Sequence, residues 1–521
     1  MSFAGGASPA AGQAGRLLAF GLLLPLAAGA VAVLGFAPFY FWPAPLAALA
    51  LLFAVWQRSG SPLQAALSGY AFGLGYFLAG VSWVFVSLHE FGSMPVVLAA
   101  IATFLFCAYL AVFPAAAGWI AVRLAGAAPA RRLALAAPLF VAGEWLRGTL
   151  FTGFPWLTVG TSQVPGSPLA GFAPLTGAYG TSLAVAAVAA LLAALAAGSA
   201  TSRHRIACAL AGVALFAAGG LARVVDWTAP TGVPLSIALL QGNVPQMLKW
   251  RDDIRALTLA DYRRMVREAK ARVIVLPETA LPAFLDQLPP DYLANLRQES
   301  KREGKDVMLG AVERNFRGGT FDYYNSVVSL AGAQPQSYRK RHLVPFGEFI
   351  PYGFHWVLAV LKIPLSDFDR GAQGQPPLEA GGASFAVAIC YEDVFGEEVI
   401  DALPQAQVLL NVSNDAWFGE SFAAEQHLQA SQMRALETGR WMVRSTNTGI
   451  TAAIDEGGRV VSRLPAFTAG TLTVEIVPRA GATPYVRTGN WPALALVAAA
   501  IILALRAPFL AMRARSFSKP R

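Results

Sequence analysis

The sequence contains little charge and little cysteine for its length, and both shortages exclude classes of protein. Only 14% of its 521 residues are charged, whereas a soluble globular chain carries about 25%. Residues 1–225 hold nine Arg and two Glu but no Lys or Asp. The low charge argues against a purely soluble protein, and the 55% of apolar residues argues against intrinsic disorder.

The three cysteines cannot form a disulfide framework, because their number is odd and their spacings are wide. Cys107 and Cys208 lie in apolar runs, where a packed small hydrophobic side chain is the expected role. Cys390 lies in the hydrophilic part of the chain and is therefore the one candidate for chemistry.

The positive charge is confined to the apolar flanks of the chain. Although the net charge is +9, residues 226–488 carry 26 basic and 29 acidic residues. A nucleic-acid binder would concentrate its positive charge on the folded domain. Here the charge separates hydrophobic segments, as it does in membrane proteins. This distribution excludes nucleic acid as the partner.

Long apolar runs predict a polytopic α-helical membrane domain with about eight spans, since a spanning helix needs about 20 apolar residues. Residues 1–225 would form a seven-span domain, and residues 489–521 would form a C-terminal transmembrane helix with a basic cytoplasmic tail. The predicted spans are 17–35, 39–56, 65–86, 95–122, 133–151, 168–199, 206–225 and 490–507.

The arginines predict how these spans are oriented. Arginines cluster in every second connection, at Arg16, at Arg58, at 123–132 and at 203–205. The positive-inside rule then places the N-terminus in the cytoplasm. Seven crossings put residues 226–488 on the opposite side of the membrane. The eighth returns the basic tail to the cytoplasm, so two charge signals agree.

Residues 226–488 are typical of an α/β domain. Apolar residues recur at helical spacing over 254–269 and 423–439, and each pattern predicts a helix. Short runs of β-forming residues predict strands at 235–240, 273–276, 307–312, 326–330, 385–389, 408–412, 450–454 and 472–477.

Three segments of this domain place reactive groups near strand ends, where ligand sites gather in α/β sheets. Glu278 and Cys390 each follow a predicted strand, and Lys340 lies in a basic segment between them. A cysteine attacks as the thiolate, so it needs a base and a positive neighbour. Each residue also has a structural interpretation: a buried thiol for Cys390, a helix cap for Glu278 and a solvated surface charge for Lys340.

The flanking sequences of these groups resemble the nitrilase superfamily, whose members carry a Glu–Lys–Cys triad on an αββα sandwich. Together with the apolar flanks, the chain resembles the apolipoprotein N-acyltransferase family of bacterial inner membranes. The resemblance therefore implies a nitrilase-like catalytic domain over 226–488. The segments that carry it are Gln241-Gly-Asn-Val-Pro-Gln246, Pro277-Glu278-Thr279, Lys340 to Glu348, Cys390-Tyr391-Glu392 and Asn411 to Gly419.

The resemblance implies roles for individual residues. Glu278 would be the general base, Lys340 the electrostatic stabiliser and Cys390 the nucleophile. Glu348 would orient Lys340 or its neighbours. The backbone N–H of Tyr391 would stabilise an oxyanion.

Other matched residues carry weaker implications. Glu392 follows the nucleophile and Tyr391 in the matched motif. Trp250, Asn325, Trp417 and Phe418 match positions near the lipid-binding face of the family. Asn325 has an equally plausible structural role, as a turn residue at a strand start.

The resemblance also implies a reaction and a location. The enzyme would transfer an acyl chain from the sn-1 position of a phospholipid, typically phosphatidylethanolamine, to the N-terminal diacylglyceryl-cysteine of apolipoproteins. The mechanism would be ping-pong through a cysteine thioester, on the periplasmic side of the membrane, without a metal or other cofactor. Two alternatives remain: a membrane-tethered amidase acting on a small amide, and a transporter or receptor whose extracytoplasmic domain binds ligand.

Residues 343–364 are unusually apolar, with Glu348 and Lys362 as the only formally charged residues. Prolines and glycines interrupt the segment, so a membrane span is excluded. We expect an amphipathic arm at the membrane surface beside the active site. The alternative is an ordinary buried helix. The arm residues expected to contact lipid are Phe354, Trp356 and Leu358.

Overall fold

The computed structural model describes residues 19–197, 201–353 and 367–517. A helix lies in each predicted apolar run, and several begin at a proline, which is favourable in the first helical turn because its missing N–H has no partner there. These helices are α1 Leu24–Ala32, α2 Pro43–Arg58, α3 Pro62–Val81, α4 Val96–Ala125, α5 Pro129–Arg147, α6 Ala173–Leu195 and α7 Ser202–Arg223.

Within the described residues, three helical segments are long and apolar enough to cross a membrane: Val96–Ala125, Pro168–Leu195 and Ser202–Arg223. A fourth is possible if Pro62–Val81 and Val84–Phe91, which are bent by 58° to each other, form one span. Gly21–Gly35 and Trp491–Arg506 are shorter apolar helices. The structure thus supports an apolar helical region, and the number of eight crossings stays a prediction.

Close contacts hold the helical region together internally. A Cβ atom added to Gly69 of α3 would lie 2.5 Å from the carbonyl oxygen of Pro114 in α4, so only glycine allows this approach. On α5, Glu144 and Arg147 are both buried and lie 4.0 Å apart. The small residues of α3 therefore serve packing within the chain.

The second region is built from strands and helices on either side of them. Its three longer helices are α8 Asp252–Glu268, α9 Tyr292–Arg302 and α10 Ala423–Thr438, and a four-residue helix, Gly396–Val399, lies between α9 and α10. The strands are β1 Thr228–Pro230, β2 Leu235–Gln241, β3 Val273–Val275, β4 Asp306–Arg317, β5 Thr320–Ser329, β6 Gln336–Arg339, β7 Leu378–Ala380, β8 Ala383–Ile389, β9 Val408–Ser413, β10 Met442–Thr446, β11 Ala452–Ile454, β12 Val460–Arg463, β13 Gly470–Ile476 and β14 Arg479–Gly481.

Two six-stranded sheets face each other, with the orders β13-β2-β3-β4-β5-β6 and β12-β11-β10-β9-β8-β7. Apolar side chains from both sheets form one core, to which Ile237 and Val275 contribute from one sheet and Phe385 and Leu410 from the other. Helices α8 and α9 cover the outer face of the first sheet, and α10 covers that of the second. The expected αββα sandwich is confirmed.

Each of the eight predicted strands overlaps an observed one, but six of the 14 observed strands were not predicted, and β10 is the most deeply buried of these six. It carries Arg444 between Val443 and Ser445, and all five residues of the strand are buried. Its alternation of polar and apolar residues gives no continuous hydrophobic run. The strand is buried because Arg444 finds two carboxylates inside the protein.

Helix α10 joins the sandwich to the helical region. Gln426, Gln429 and Gln432 are spaced three residues apart and therefore share one face of the helix. Gln426 accepts hydrogen bonds from the indoles of Trp83 and Trp156, at 3.3 and 2.7 Å. The other two glutamines accept hydrogen bonds from the backbone N–H of residue 37 and the hydroxyl of residue 40. Helix α10 therefore contacts both parts of the molecule.

A final pair of helices follows the sandwich, α11 Pro484–Thr488 and α12 Trp491–Phe517. Helix α12 packs against α5 and α6 of the helical region. The C-terminal apolar run thus returns to the helices formed by the first part of the chain.

Candidate active site

Glu278 lies in the turn after β3 and is buried, with 7% of the residue exposed. Its Oε1 atom accepts a hydrogen bond of 2.7 Å from the Asn325 amide. The same oxygen lies 3.9 Å from the Lys340 ammonium. Burial, together with the nearby Glu348 carboxylate, raises the pKa of Glu278, while Lys340 opposes that rise. A carboxylate in this environment is a better proton acceptor than one in water.

Lys340 follows β6 and is 1% exposed. Its backbone N–H donates to the carbonyl oxygen of Asn325, at 2.7 Å. Burial alone would lower the pKa of Lys340, but the Glu348 and Glu278 carboxylates raise it above its usual value. Lys340 is therefore a permanent positive charge at this point of the sandwich.

Cys390 directly follows β8 with a φ angle of +53°, a backbone conformation that is strained for a non-glycine residue. Its carbonyl oxygen lies 3.1 Å from the amide of Asn411 and 3.2 Å from Nε2 of His427. Burial raises the pKa of the Cys390 thiol, with a further rise from Glu278 and an opposing effect of Lys340. The resting thiol is thus protonated and needs a base to become a nucleophile.

Glu348 and Asn325 connect the acidic and basic groups of the site. Glu348 lies 2.8 Å from the Lys340 ammonium and accepts a hydrogen bond from the backbone N–H of Val344. The Asn325 amide donates to both Glu278 and Glu348, at 2.7 and 3.0 Å. Asn325 lies inside β5, paired with Val312, so its interpretation as a turn residue at a strand start is wrong.

Glu392 joins the two segments that carry Lys340 and Cys390. Its carboxylate accepts hydrogen bonds from the backbone N–H groups of Ile389 and Arg341, both at 2.7 Å. It also accepts a hydrogen bond from the hydroxyl of Tyr338. Burial raises the pKa of Glu392 to about 7, although the backbone donors oppose this rise. Glu392 therefore fixes the strand ends relative to each other.

The side chain of Tyr391 points into the helical region. Its hydroxyl donates to the carbonyl oxygen of Gly153 at 3.2 Å. Its ring is nearly parallel to those of Phe154 and Trp156, with ring centroids 6.4 and 6.5 Å away. The residue after the candidate nucleophile thus anchors the sandwich to the loop after α5.

Trp417 and Phe418 also contact the helical region. The Phe418 ring lies 4.8 Å from that of Trp83, and the Trp417 carbonyl oxygen accepts a hydrogen bond from the Ser87 hydroxyl at 2.7 Å. Both side chains are half-buried, as is Trp250, which lies between β2 and α8. Trp417 and Phe418 thus lie at the boundary between the sandwich and the apolar helices.

The three predicted arm residues, Phe354, Trp356 and Leu358, lie outside the described residues. Just before them in the chain, Tyr352 is 99% exposed. The guanidinium group of Arg370 lies 5.2 Å from the centre of the Phe349 ring. The amphipathic arm stays a prediction.

Two features of the site were missed by the sequence reasoning. Lys249, next to Trp250, is 1% exposed and contacts the turn that carries Glu278. His427 contacts the Cys390 carbonyl from α10, although the two residues are 37 positions apart. The one signal for His427 was the stripe of polar residues along the helix predicted at 423–439. Lys249 lies in a loop, where no periodic pattern marks it.

Beneath Cys390 lies a buried ionic cluster made of His427, Asp393, Asp415 and Arg444. His427 lies 2.7 Å from Asp393 and 3.0 Å from Asp415. Arg444 lies 3.1 and 2.9 Å from the same two carboxylates. Because two positive groups face two negative ones, the cluster can be buried without a net charge.

The geometry therefore combines a thiol, a carboxylate and an ammonium group at one edge of the sandwich. Glu278 and Lys340 both act electrostatically on Cys390. Such a set can form a covalent acyl intermediate and stabilise an oxyanion. In the parts of the chain that the structure describes, no three His, Cys, Asp or Glu side chains are arranged to hold a metal ion.

Comparisons with known proteins match both regions of the chain. Residues 28–191 match the apolipoprotein N-acyltransferase N-terminal domain, and residues 236–485 match the carbon-nitrogen hydrolase family. An apolipoprotein N-acyltransferase of Nitrosomonas europaea is 50% identical over 94% of this chain and 98% of its own length. Enzymes of the same name from Methylococcus capsulatus and Ralstonia nicotianae are 48% and 45% identical, over 92% and 96% of this chain and 94% and 97% of their own lengths.

These relatives share nearly the whole chain, including both the apolar helices and the sandwich. The apolar helices agree with a membrane-associated protein. The chain therefore belongs to the apolipoprotein N-acyltransferase family and is an acyltransferase enzyme.

Proposed function

We propose that this enzyme transfers an acyl chain from the sn-1 position of a phospholipid, with phosphatidylethanolamine as the donor, to the α-amino group of an N-terminal diacylglyceryl-cysteine. Lipoprotein N-acylation is the activity that the names of its relatives indicate. The reaction proceeds through a thioester on Cys390, with a ping-pong order of the two substrates.

One observation carries the proposal: the Cys390 segment joins the charged site to the apolar helices. Glu278 and Lys340 act on the thiol from the sandwich, while the neighbouring Tyr391 stacks on Trp156 of the helical region. Pulling one acyl chain from a bilayer into water would cost on the order of 10 kcal/mol, at about 0.8 kcal/mol per methylene. A site built against apolar helices avoids that cost.

In the first half-reaction, Glu278 accepts the proton of the Cys390 thiol as the sulfur attacks the ester carbonyl carbon. The Lys340 ammonium and the Tyr391 backbone N–H stabilise the tetrahedral oxyanion. The bond between the carbonyl carbon and the sn-1 oxygen then breaks. Glu278 returns the proton to that oxygen, so a lysophospholipid leaves and a thioester remains.

In the second half-reaction, the α-amino group of the acceptor attacks the thioester carbonyl. Glu278 accepts a proton from the amine as the amide bond forms, and the carbon–sulfur bond breaks. The sulfur then recovers the proton from Glu278, which restores the starting enzyme. Exclusion of water by the surrounding apolar groups protects the thioester from hydrolysis.

The proposal includes the arrangement of the chain in the membrane. Residues 1–225 would cross the inner membrane seven times, residues 226–488 would form the periplasmic catalytic domain, and residues 489–521 would cross once more. The arrangement can be tested with a cysteine placed at Val233, which is 78% exposed. A membrane-impermeant maleimide should label Val233→Cys in intact spheroplasts, and labelling only after lysis would reverse the orientation.

Intact-mass spectrometry tests the reaction itself. The purified enzyme, incubated with phosphatidylethanolamine in detergent micelles, should gain the mass of one acyl chain. A synthetic diacylated peptide with a free N-terminal cysteine should remove the adduct. Cys390→Ser should abolish thioester formation, whereas the matched control Cys208→Ser, buried in α7, should retain it. An adduct retained in Cys390→Ser would contradict the mechanism.

A further inference from the structure

A second lysine lies beside the proposed general base. Lys249 is 1% exposed, in the segment between β2 and α8. Its ammonium donates to the Thr279 hydroxyl at 2.7 Å and to the backbone carbonyl oxygen of Glu278 at 3.4 Å. The proposed chemistry assigns no role to this buried charge.

The turn that Lys249 contacts is strained. Thr279 has a φ angle of +44°, which is unfavourable for a β-branched residue. On its other side, the turn lies directly on Gly310 of β4, where an added Cβ atom would approach the Glu278 Cα to 2.6 Å. Strained turns persist when the surrounding structure holds them, and here Gly310 and Lys249 hold this one from two sides.

The electrostatics of Lys249 point to the same turn. Its two hydrogen-bond acceptors are a neutral hydroxyl and a neutral carbonyl, and a buried ammonium is costly without an opposite charge. Burial lowers the pKa of Lys249 to about 8, and the Glu278 carboxylate opposes that decrease. Lys249 and Glu278 therefore stabilise each other's charged forms.

The other charged and polar groups that face Glu278 are already engaged. Lys340 lies 2.8 Å from Glu348 but 3.9 Å from Glu278. Asn325 donates to both carboxylates, and the Cys390 thiol is electrostatically coupled to Glu278. Unlike Lys340, Lys249 is thus a cation near Glu278 that has no direct contact with Glu348.

We infer that Lys249 is a positioning residue for this reaction: it holds the strained Thr279 turn so that the Glu278 carboxylate faces Cys390, and its charge favours the proton-accepting form of Glu278. The inference rests on the proposed function of Glu278 as the base. It assigns two separable effects, one geometric through Thr279 and one electrostatic through the ammonium group.

Four variants separate the two effects: Lys249→Met, Lys249→Arg, Thr279→Val and Thr279→Ser. The measurement is the rate of Cys390 acylation by phosphatidylethanolamine micelles, followed by intact mass across a pH series. Correct folding is checked by size-exclusion chromatography in detergent. Wild-type acylation in the same series is the reference for every variant.

Lys249→Met should slow acylation by roughly 10- to 100-fold, because a misplaced catalytic group loses about that much. Removing a nearby cation raises the pKa of Glu278, so the acidic limb of the profile should move to higher pH by about one unit. Lys249→Arg keeps the charge and should leave the limb in place. Thr279→Val removes the hydroxyl that Lys249 contacts and should slow acylation without moving the acidic limb. Thr279→Ser keeps a hydroxyl and should retain the wild-type rate.

A Lys249→Met enzyme that is folded and has the wild-type rate and limb would overturn the inference. So would a Thr279→Val enzyme as fast as Thr279→Ser. If Lys249→Met does not fold, Lys249→Arg and the Thr279 pair decide the matter: a shifted limb in Lys249→Arg, or equal rates in the pair, overturns the inference. Failure of the wild type to form an adduct would instead overturn the proposed function.

Discussion

Helices α8 and α10 cover opposite faces of the same sandwich, yet their surroundings differ completely. In α8, four of 17 residues are buried, and most of its charged residues are exposed. In α10, 14 of 16 residues are buried, among them His427, Arg434 and Glu437. One helix covers a sheet alone, and the other lies between a sheet and the apolar helical region.

This difference shows that a polar helix becomes buried when its polar groups find partners on both sides. The face of α10 toward the sheet carries His427, which contacts Asp393, Asp415 and the Cys390 carbonyl. The opposite face carries the three glutamines that bond to the helical region, including Gln429. Helix α10 therefore connects the proposed nucleophile to the membrane-associated part of the enzyme.

The largest effect on stability is expected from the ionic cluster of His427, Asp393, Asp415 and Arg444. Arg444→Met removes the guanidinium group from two fully buried carboxylates, Asp393 and Asp415. Breaking such a buried arrangement costs about 3–5 kcal/mol in the free energy of unfolding. Thermal unfolding in detergent should show a large decrease in midpoint. A decrease no larger than that of an exposed α8 variant would contradict the role of the cluster.

The same cluster should make stability depend on pH. Burial and Arg444 lower the pKa of His427, but Asp393 and Asp415 outweigh them and raise it to about 9. The folded state therefore binds a proton that the unfolded state loses above about pH 6.5. The stability that this proton contributes is fully present below that pH and is lost as the pH rises through about 9.

Thermal unfolding followed between pH 6 and pH 10 tests this dependence. The unfolding midpoint of the wild type should fall over that range, and His427→Gln should flatten the fall. Leu259 and Val266 face the sheet from α8 and carry no titratable group. Variants at these two positions should therefore leave the pH dependence of the unfolding midpoint unchanged. An identical fall in His427→Gln would show that other groups cause it.

A smaller effect is expected on the outer face of α10. The Gln429 side chain accepts a hydrogen bond from the backbone N–H of Ala37 and donates to the carbonyl oxygen of Val164, at 2.9 and 3.0 Å. Gln429→Leu leaves those buried backbone groups without partners, at a cost of about 1–3 kcal/mol. The unfolding midpoint should decrease less than in Arg444→Met. An unchanged midpoint would show that these two bonds do not stabilise the domain contact.

The smallest effect is expected on α8, which serves as the matched control. Arg263 of α8 pairs with Glu299 of α9, and the two side chains are 38% and 32% exposed. Arg263→Met should change the free energy of unfolding by less than about 1 kcal/mol, because exposed ion pairs contribute little. A decrease as large as that of Gln429→Leu would remove the contrast between the two helices.

Much of the sandwich could be predicted from the sequence because its strands are apolar runs between turn residues. The segments at 235–240, 385–389 and 408–412 each became a buried strand. The positions of Glu278 and Cys390 at strand ends were predicted for the same reason. The strand with Arg444 was missed, because a buried arginine becomes favourable only when distant carboxylates surround it.

The helices of the first region could be placed from hydropathy, but their relation to the site could not. Nothing in the spacing of Trp83 and Trp156 indicates that both indoles bond to one glutamine of α10. Lys249 is next to Trp250 in a loop, and only the tertiary structure brings its ammonium to Thr279, in the turn after β3.

By itself, the sequence determined where the apolar helices and more than half of the strands lie, and which family the chain resembles. These features are local, since hydropathy, periodicity and short motifs are carried by neighbouring residues. Tertiary structure alone decided that polar α10 is buried, that Asn325 joins two glutamates, and that Lys249 reaches the turn of Glu278. Those contacts join partners that lie 23–392 positions apart in the sequence, and desolvation makes them favourable only once the partners have met.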